Sequence, residues 1–173
     1  MHHKFFLIGC FVCLALCTKA QQAEAKLKEL NIQLPAVGKP IANYVKWVRT
    51  GNLIFLSGHG PQKPDGTYIT GKLGKDISIE QGYDAARLTA IQLLASLKDA
   101  LGDLNKVKRI VKVLGMVNSI PEFSDQPKVI NGCSDLLVAV FGDKGRHARS
   151  AVGMNALPAG NMCVEIEMVV EVE

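Results

Sequence analysis

The chain is poor in aromatic residues and cysteine, and it contains no run of charge of one sign. Aromatic residues make up 6% of its 173 residues, and 20 Lys and Arg stand against 16 Asp and Glu, for a formal charge of +4. No basic cluster is dense enough to indicate nucleic-acid binding. Five cysteines, three of them in the first 17 residues, do not make a disulfide framework. The composition is therefore that of one ordinary globular domain.

Standard catalytic and cofactor motifs are also missing. Gly58-His59-Gly60 is too short for a phosphate-binding loop and leads into a proline rather than a helix. His59 and His147 are far apart and lack metal-ligand spacing, and we expect His147 to lie in an exposed turn. No serine occupies a nucleophile elbow. We therefore expect no metal and no organic cofactor, which leaves a cofactor-free enzyme or a small-ligand binder.

The amino terminus has the anatomy of a cleaved secretory signal. A short basic start precedes thirteen apolar residues, Phe5 to Cys17, and Thr18-Lys19-Ala20 offers small residues for cleavage near Ala20. Thirteen apolar residues are too few to span a bilayer comfortably. We predict a secreted or periplasmic protein with no membrane attachment after cleavage. A lipid anchor at Cys17 and an uncleaved apolar anchor are the alternatives.

Removal of residues 1–20 leaves two cysteines, Cys133 and Cys163, far apart in sequence. Two cysteines permit one disulfide, but the simpler prediction is two buried, inert core thiols. Without Lys4 and Lys19 the balance becomes 18 basic to 16 acidic residues, a net charge of about +2. This weak basicity says little about partners.

The remaining pattern predicts an α+β domain over residues 40–173, preceded by an N-terminal helix and connector over 21–39. Helices are predicted from Ser78, with Gln81 completing a capping box, to Gly102, and from Ser124 or Asp125 to Gly142. Strands are predicted at 44–49, 53–56, 107–117 and 164–172, with a hairpin turn at Thr50-Gly51-Asn52 and a minor strand at 67–70. Helices on one face of a mixed sheet satisfy this order. Apolar positions left over suggest that the other sheet face meets a neighbouring subunit.

The last thirty residues carry the most information. A short strand-like run holds Arg149 among small residues, and a Leu157-Pro158 turn follows it. The final strand alternates: Val164, Ile166, Met168, Val170 and Val172 point one way, and Glu165, Glu167, Glu171 and Glu173 the other. Such a pattern can place a guanidinium and a carboxylate near each other on paired strands.

Several of these segments occur together in the order typical of one family. They are Asn43-Tyr44-Val45, the run Gly51 to Gly58, Asn131 in the second helix, Ala148-Arg149-Ser150, Leu157-Pro158 and Val164-Glu165-Ile166-Glu167. The chain resembles the YjgF/RidA family, whose older label is endoribonuclease L-PSP, over 40–173. The resemblance implies a chorismate-mutase-like fold with two main helices on one sheet face and a homotrimer with sites between subunits.

The resemblance also implies a reaction, the hydrolysis of reactive 2-imino acids and enamines to 2-keto acids and ammonia. Arg149 matches the arginine that grips the substrate carboxylate, because a planar guanidinium holds a carboxylate bidentately. Glu165 matches the acid beside the attacking water. The substrate-binding positions implied in addition are Tyr44, Ser57, Gly58, Asn131 and Ala151. Ala151 stands where well-studied members have cysteine, so it keeps the backbone amide without the thiol.

Each of these residues also has a purely structural interpretation. Arg149 can pair with Glu165 or Glu167 in a salt bridge, and Glu165 can belong to a solvated strand face. Tyr44 can be a core or interface aromatic, and Asn131 can hold a helix to a loop. Three functions follow in order of preference: imine deaminase, non-catalytic sensor of small carboxylates, and endoribonuclease. The last lacks a histidine pair or basic stripe, so we expect no nucleic-acid partner.

Overall fold

A five-stranded mixed sheet forms the centre of the computed structural model, which describes residues 23–40 and 42–173. The strands are β1 (Trp47–Thr50), β2 (Leu53–His59), β3 (Val107–Asn118), β4 (Ala148–Met154) and β5 (Val164–Val172). Their order in the sheet is β1-β2-β5-β3-β4. Only β3 and β4 run parallel, and the other neighbours are antiparallel. The predicted α+β class is confirmed.

Two long helices cover one face of this sheet. The helices are α1 (Ala23–Glu29), α2 (Ile79–Leu101), α3 (Gln126–Phe141) and the single turn α4 (Pro158–Asn161), with 3-10 turns at Leu104–Lys106 and Gly142–Gly145. The predicted capping box starts α2, because the Gln81 amide donates to Ser78 Oγ and the Ser78 amide donates to Gln81 Oε1. Gly102 ends that helix in the left-handed region, at φ 72°.

The core lies between the helices and the sheet. The alternating side chains of β5, from Val164 to Val172, are at most 1% exposed, as predicted. The two helices approach so closely that a Cβ on Gly132 of α3 would lie 2.0 Å from the Tyr83 carbonyl oxygen of α2. Cys133 and Cys163 are free, buried thiols, as expected. Burial raises their pKa values to about 12 and about 11, which keeps both protonated and unreactive.

The opposite face of the sheet carries exposed apolar side chains. Val48 and Phe55, neighbours across β1 and β2, are 54% and 44% exposed, and Val152 and Met154 of β4 are 39% and 36% exposed. An apolar patch of this kind commonly marks a contact surface. The prediction that this face meets another subunit therefore has a physical basis and stays a prediction.

Three local predictions differ from the structure. The first strand begins at Trp47 rather than Tyr44, because the chain turns just before it, where the Tyr44 amide donates to the Ala42 carbonyl. The second strand does not end at Leu56 but continues through a bulge to His59. The predicted strand at 67–70 is reduced to isolated bridges, one of which pairs Thr70 with Met162.

The predicted signal segment, residues 1–20, lies outside the described residues. Of the predicted helix at 21–31, residues 23–29 are helical. Within the two described ranges, no helix combines the length and apolar character needed to cross a bilayer. Cleavage and export stay predictions.

Candidate functional site

Arg149 lies on the edge strand β4, beneath α3. The connection β3–α3–β4 joins two parallel neighbours, so α3 returns over the sheet and its side chains face those of β4. Arg149 Nη1 donates to Asn131 Oδ1 and to Ser134 Oγ, both at 2.9 Å, and Nη2 lies 3.5 Å from the Pro127 carbonyl oxygen. We call Arg149, Asn131 and Ser134 the arginine cluster.

A further hydrogen-bond chain fixes the cluster. The His147 Nδ1 donates to the Gly145 carbonyl at 2.7 Å, so the neutral ring accepts at Nε2 from the Ser134 hydroxyl at 3.1 Å. Burial, and then the Arg149 charge, lowers the pKa of His147, which favours this neutral form. The prediction of an exposed turn at His147 is wrong, because the ring is half-buried against α3. Sequence reasoning missed Ser134, although a position three residues after Asn131 shares its helix face.

The guanidinium keeps one edge free for a ligand. Both Nη1 hydrogens are used, whereas Nε makes no hydrogen bond and Nη2 makes only one long contact within the described ranges. Nε and Nη2 form the side edge of the guanidinium, which matches a bidentate carboxylate. No described carboxylate forms a salt bridge with Arg149, so the alternative of a structural pair with Glu165 or Glu167 does not occur in this chain.

Glu165 lies elsewhere, beside a cavity of about 350 Å3 at the end of β2. We call this the glutamate cavity; its walls include Tyr44, Gly58, His59 and Met162. The Glu165 carboxylate is half-buried and has no hydrogen-bond or ion-pair partner among the described residues. Burial, and then the nearby Glu167 charge, raises the pKa of Glu165. A carboxyl group with a raised pKa is a stronger base than an ordinary glutamate and can exchange protons with a ligand in the cavity.

Gly58 is required by the position of Glu165. A Cβ built on Gly58 would lie 2.1 Å from Glu165 Oε1 and 2.8 Å from Glu165 Cδ. Any larger residue would therefore displace the carboxylate. Residue 58 must therefore stay small because Glu165 of the same chain occupies the space that a Cβ would need.

The other predicted site residues lie in different parts of the structure. Tyr44 is 47% exposed and lines the glutamate cavity. Ser57 donates from its hydroxyl to the Val45 carbonyl at 2.6 Å and lines a different groove on the open sheet face. Ala151 is half-buried two residues after Arg149, opposite Gly115 of β3. It therefore lies on the same side of β4 as the arginine.

One chain does not bring Arg149 and Glu165 together. The expectation that they lie on paired strands is wrong, because β3 separates β4 from β5. Arg149 is level with Val113 and Glu165 with Met116, three residues further along β3, or roughly 10 Å at the rise of a strand. An odd separation also places the two side chains on opposite faces of the sheet. Within one chain, Arg149 and Glu165 therefore belong to two separate clusters.

His59 supports the glutamate cavity from inside the protein. Its side chain is 6% exposed, its Nδ1 donates to the Ser57 carbonyl at 2.6 Å, and its Nε2 accepts from the Ser96 hydroxyl at 2.7 Å. Burial, opposed in part by the Ser57 hydrogen bond and assisted by the Lys46 charge, lowers the pKa of His59 to about 4. The ring ties β2 to α2 in its neutral form.

We expect His59 to make the fold sensitive to acid. Between pH 6.5 and about 4 the unfolded chain takes up a proton at this ring that the folded chain does not, so stability falls as the pH falls. The full difference is about 3 kcal/mol in the free energy of unfolding. Urea unfolding at pH 7 and pH 4 should show a smaller acid loss for His59→Gln than for the wild type. Equal losses would contradict this, and His147→Gln serves as the control for a half-buried ring.

The described residues contain no group of three or more His, Cys, Asp or Glu side chains able to hold a metal ion. The two groups singled out above are a guanidinium with one edge largely free and a carboxyl group that borders a cavity. The chain thus combines a mixed sheet with two helices on one face, an arginine on the edge strand and a carboxyl group beside a glycine that must stay small.

The comparison with known proteins agrees with this description. A family model described as "YjgF/chorismate_mutase-like, putative endoribonuclease" matches residues 24–171. The chain belongs to this YjgF/RidA family, and its predicted chorismate-mutase-like fold is confirmed.

Three relatives cover most of the chain. Protein TCP17 of Trypanosoma cruzi is 45% identical over 148 residues, which are 85% of this chain and 92% of that protein. A protein of unknown function from Agrobacterium tumefaciens is 44% identical, with a TM-score of 0.80 over 89% of this chain and 96% of the other. A "putative endoribonuclease" from Shewanella oneidensis is 30% identical, with a TM-score of 0.83 over 87% and 99%.

Proposed function

We propose that the protein hydrolyses reactive 2-imino acids and their enamine tautomers to 2-keto acids and ammonia, without a metal or organic cofactor. The site is completed when two subunits of a homotrimer bring the arginine cluster of one chain to the glutamate cavity of the next. The single observation that carries this proposal is that one chain holds its arginine and its glutamate apart. Arg149 keeps a free carboxylate-binding edge and Glu165 keeps an unpaired carboxyl group, yet they lie on opposite sheet faces.

The surface of the chain supports an assembly that joins these halves. The arginine cluster is at the edge strand β4, and the exposed apolar residues Val48, Phe55, Val152 and Met154 extend across the open face. Closed rotational symmetry lets one such surface contact a different surface on the next copy until the ring closes. Covering the open face in this way would bury its apolar side chains and complete three identical sites.

The reaction follows from the two groups. Arg149 binds the substrate carboxylate through Nε and Nη2, which fixes the imine carbon beside Glu165. The substrate reacts as its protonated imine: a water oxygen adds to the imine carbon while Glu165 takes a proton from the water, which leaves a neutral carbinolamine. Glu165 then gives this proton to the nitrogen, and as the carbon–nitrogen bond breaks the hydroxyl proton passes to the Glu165 carboxylate, so that ammonia and the 2-keto acid form. The proton left on Glu165 departs with the ammonia as ammonium. The raised pKa of Glu165 suits these proton transfers.

The test is release of ammonia from freshly generated 2-iminopropanoate. We expect the wild-type protein to accelerate release well above the buffer rate, and sedimentation to give the mass of a trimer. Absent turnover, with small carboxylates still raising the melting temperature through Arg149, would replace this proposal with a carboxylate sensor. RNA cleavage that survives metal chelation and requires Arg149 would replace it with a nuclease. A monomer in solution would remove the shared site.

A further inference from the structure

The glutamate cavity is larger than a small imino acid needs. Its volume is about 350 Å3, within the range of pockets that hold ligands of drug-like size. A substrate such as 2-iminopropanoate has six heavy atoms, so most of this space would stay filled with water. The other residues that line the cavity therefore influence which substrate fits.

Two lysines line the cavity, the exposed Lys39 and the half-buried Lys46. Lys46 is half-buried and makes no ion pair or side-chain hydrogen bond within the described ranges. Its charge reaches into the cavity, since it contributes to the low pKa of the adjacent His59 ring. His59 cannot accept an ammonium hydrogen in return, because both of its ring nitrogens are already bonded. Glu165 is the single carboxylate among the described lining residues.

Two neutral groups also line the cavity. The Gln92 amide donates one hydrogen to the Gln62 carbonyl at 3.0 Å and keeps a second, and Gln62 is bridged to Tyr68. The Tyr68 residue is half-buried, and its hydroxyl has no hydrogen-bond partner among the described residues. Gln92 also lies one helical turn from Ser96, the partner of His59. Lys46, Tyr68 and Gln92 thus line one continuous cavity with donors left over.

We propose that Lys46, Tyr68 and Gln92 form a subsite for a second carboxylate, so that the preferred substrates are 2-imino acids with an anionic side chain. This inference rests on the proposed function for the position of the first carboxylate at Arg149. A dianionic substrate close to Glu165 would be repelled unless a cation offsets it, and Lys46 supplies that cation. Tyr68 and Gln92 add neutral donors, which favour a carboxylate over an alkyl group because alkyl groups leave buried donors unpaired.

The experiment uses two stable 2-keto acids that differ by one carbon, the diacid 2-oxoglutarate and the monoacid 2-oxohexanoate. Their binding to the whole chain is compared by calorimetry at physiological salt. We expect the diacid to bind at least about tenfold more tightly, the scale of a charge-assisted hydrogen bond. Lys46→Met should remove this preference. Lys108→Met, which removes an exposed lysine outside the cavity, should retain it. Arg149→Ala should weaken both ligands.

Each of the remaining binding results either supports or overturns the subsite. Equal binding by the wild type, or a preference that survives Lys46→Met, would overturn the subsite. A preference lost equally in Lys108→Met would assign it to overall charge and overturn it too. A diacid preference that requires Lys46, in a protein that turns over no imine, would sustain the subsite and overturn the hydrolysis. Failure of both acids to bind would overturn the subsite, and ammonia release would then decide the hydrolysis by itself.

Discussion

Two inactive variants should restore activity when they assemble together. Arg149→Ala removes the carboxylate grip and Glu165→Gln removes the proton acceptor, and each should lower kcat/KM by at least about 100-fold. In mixed trimers, a site that takes Arg149 from one chain and Glu165 from the next is intact when the first chain is Glu165→Gln and the second is Arg149→Ala. Every trimer that contains both variants has one junction of this composition among its three, so we expect about one third of the wild-type rate from trimers that carry both.

This prediction distinguishes a shared site from a site within one chain. The two variants are co-expressed with different tags, purified through both tags in succession and assayed for ammonia release from 2-iminopropanoate. The control pairs Arg149→Ala with the double variant Arg149→Ala/Glu165→Gln, in which no site keeps an arginine and no rate returns. Doubly tagged trimers of the first pair that stay inactive would show that Arg149 of one chain and Glu165 of the next do not form one site.

Much of the fold could be predicted because local signals agree with the tertiary structure. Some signals depend on only a few neighbouring residues, and these occur as expected. They are the capping box at Ser78 and Gln81, the alternation of β5 and the end of α3 at Gly142. The first strand was misjudged because Tyr44 and Val45 have strand-forming side chains while their backbone turns instead of pairing. The bulge in β2 depends on the partner strand, which local sequence does not specify.

The resemblance selects the candidate site residues but does not predict how they are arranged. Arg149, Asn131, Gly58 and Glu165 were selected by resemblance, and the structure joins Arg149 to Asn131 and Gly58 to Glu165. The separation of these two pairs depends on strand order, and the insertion of β3 between β4 and β5 is a property of the whole sheet. Lys46 and Gln92 belong to no sequence motif, because the cavity that they line is formed by segments distant in the sequence.

Gly58→Ala should lower turnover by roughly 100-fold while leaving the fold intact. The added Cβ would lie 2.1 Å from Glu165 Oε1, so the carboxylate must move by an ångström or more. A displacement of about 1 Å in a reacting group can lower the rate about 100-fold. The group that moves is the flexible end of a side chain beside a cavity, so we expect the free energy of unfolding to change by less than about 1 kcal/mol. Ammonia release and urea unfolding measure the two effects.

A double-mutant cycle shows whether Gly58 acts through Glu165. If the methyl group acts only by displacing the carboxylate, Gly58→Ala/Glu165→Gln should be no slower than Glu165→Gln alone, because the side chain that is displaced no longer takes up a proton. Gly38→Ala is the matched control, since a Cβ there meets no atom within 4 Å. Rate losses that multiply in the double variant would mean that Gly58 is needed for another reason, such as close approach of its own backbone to the substrate.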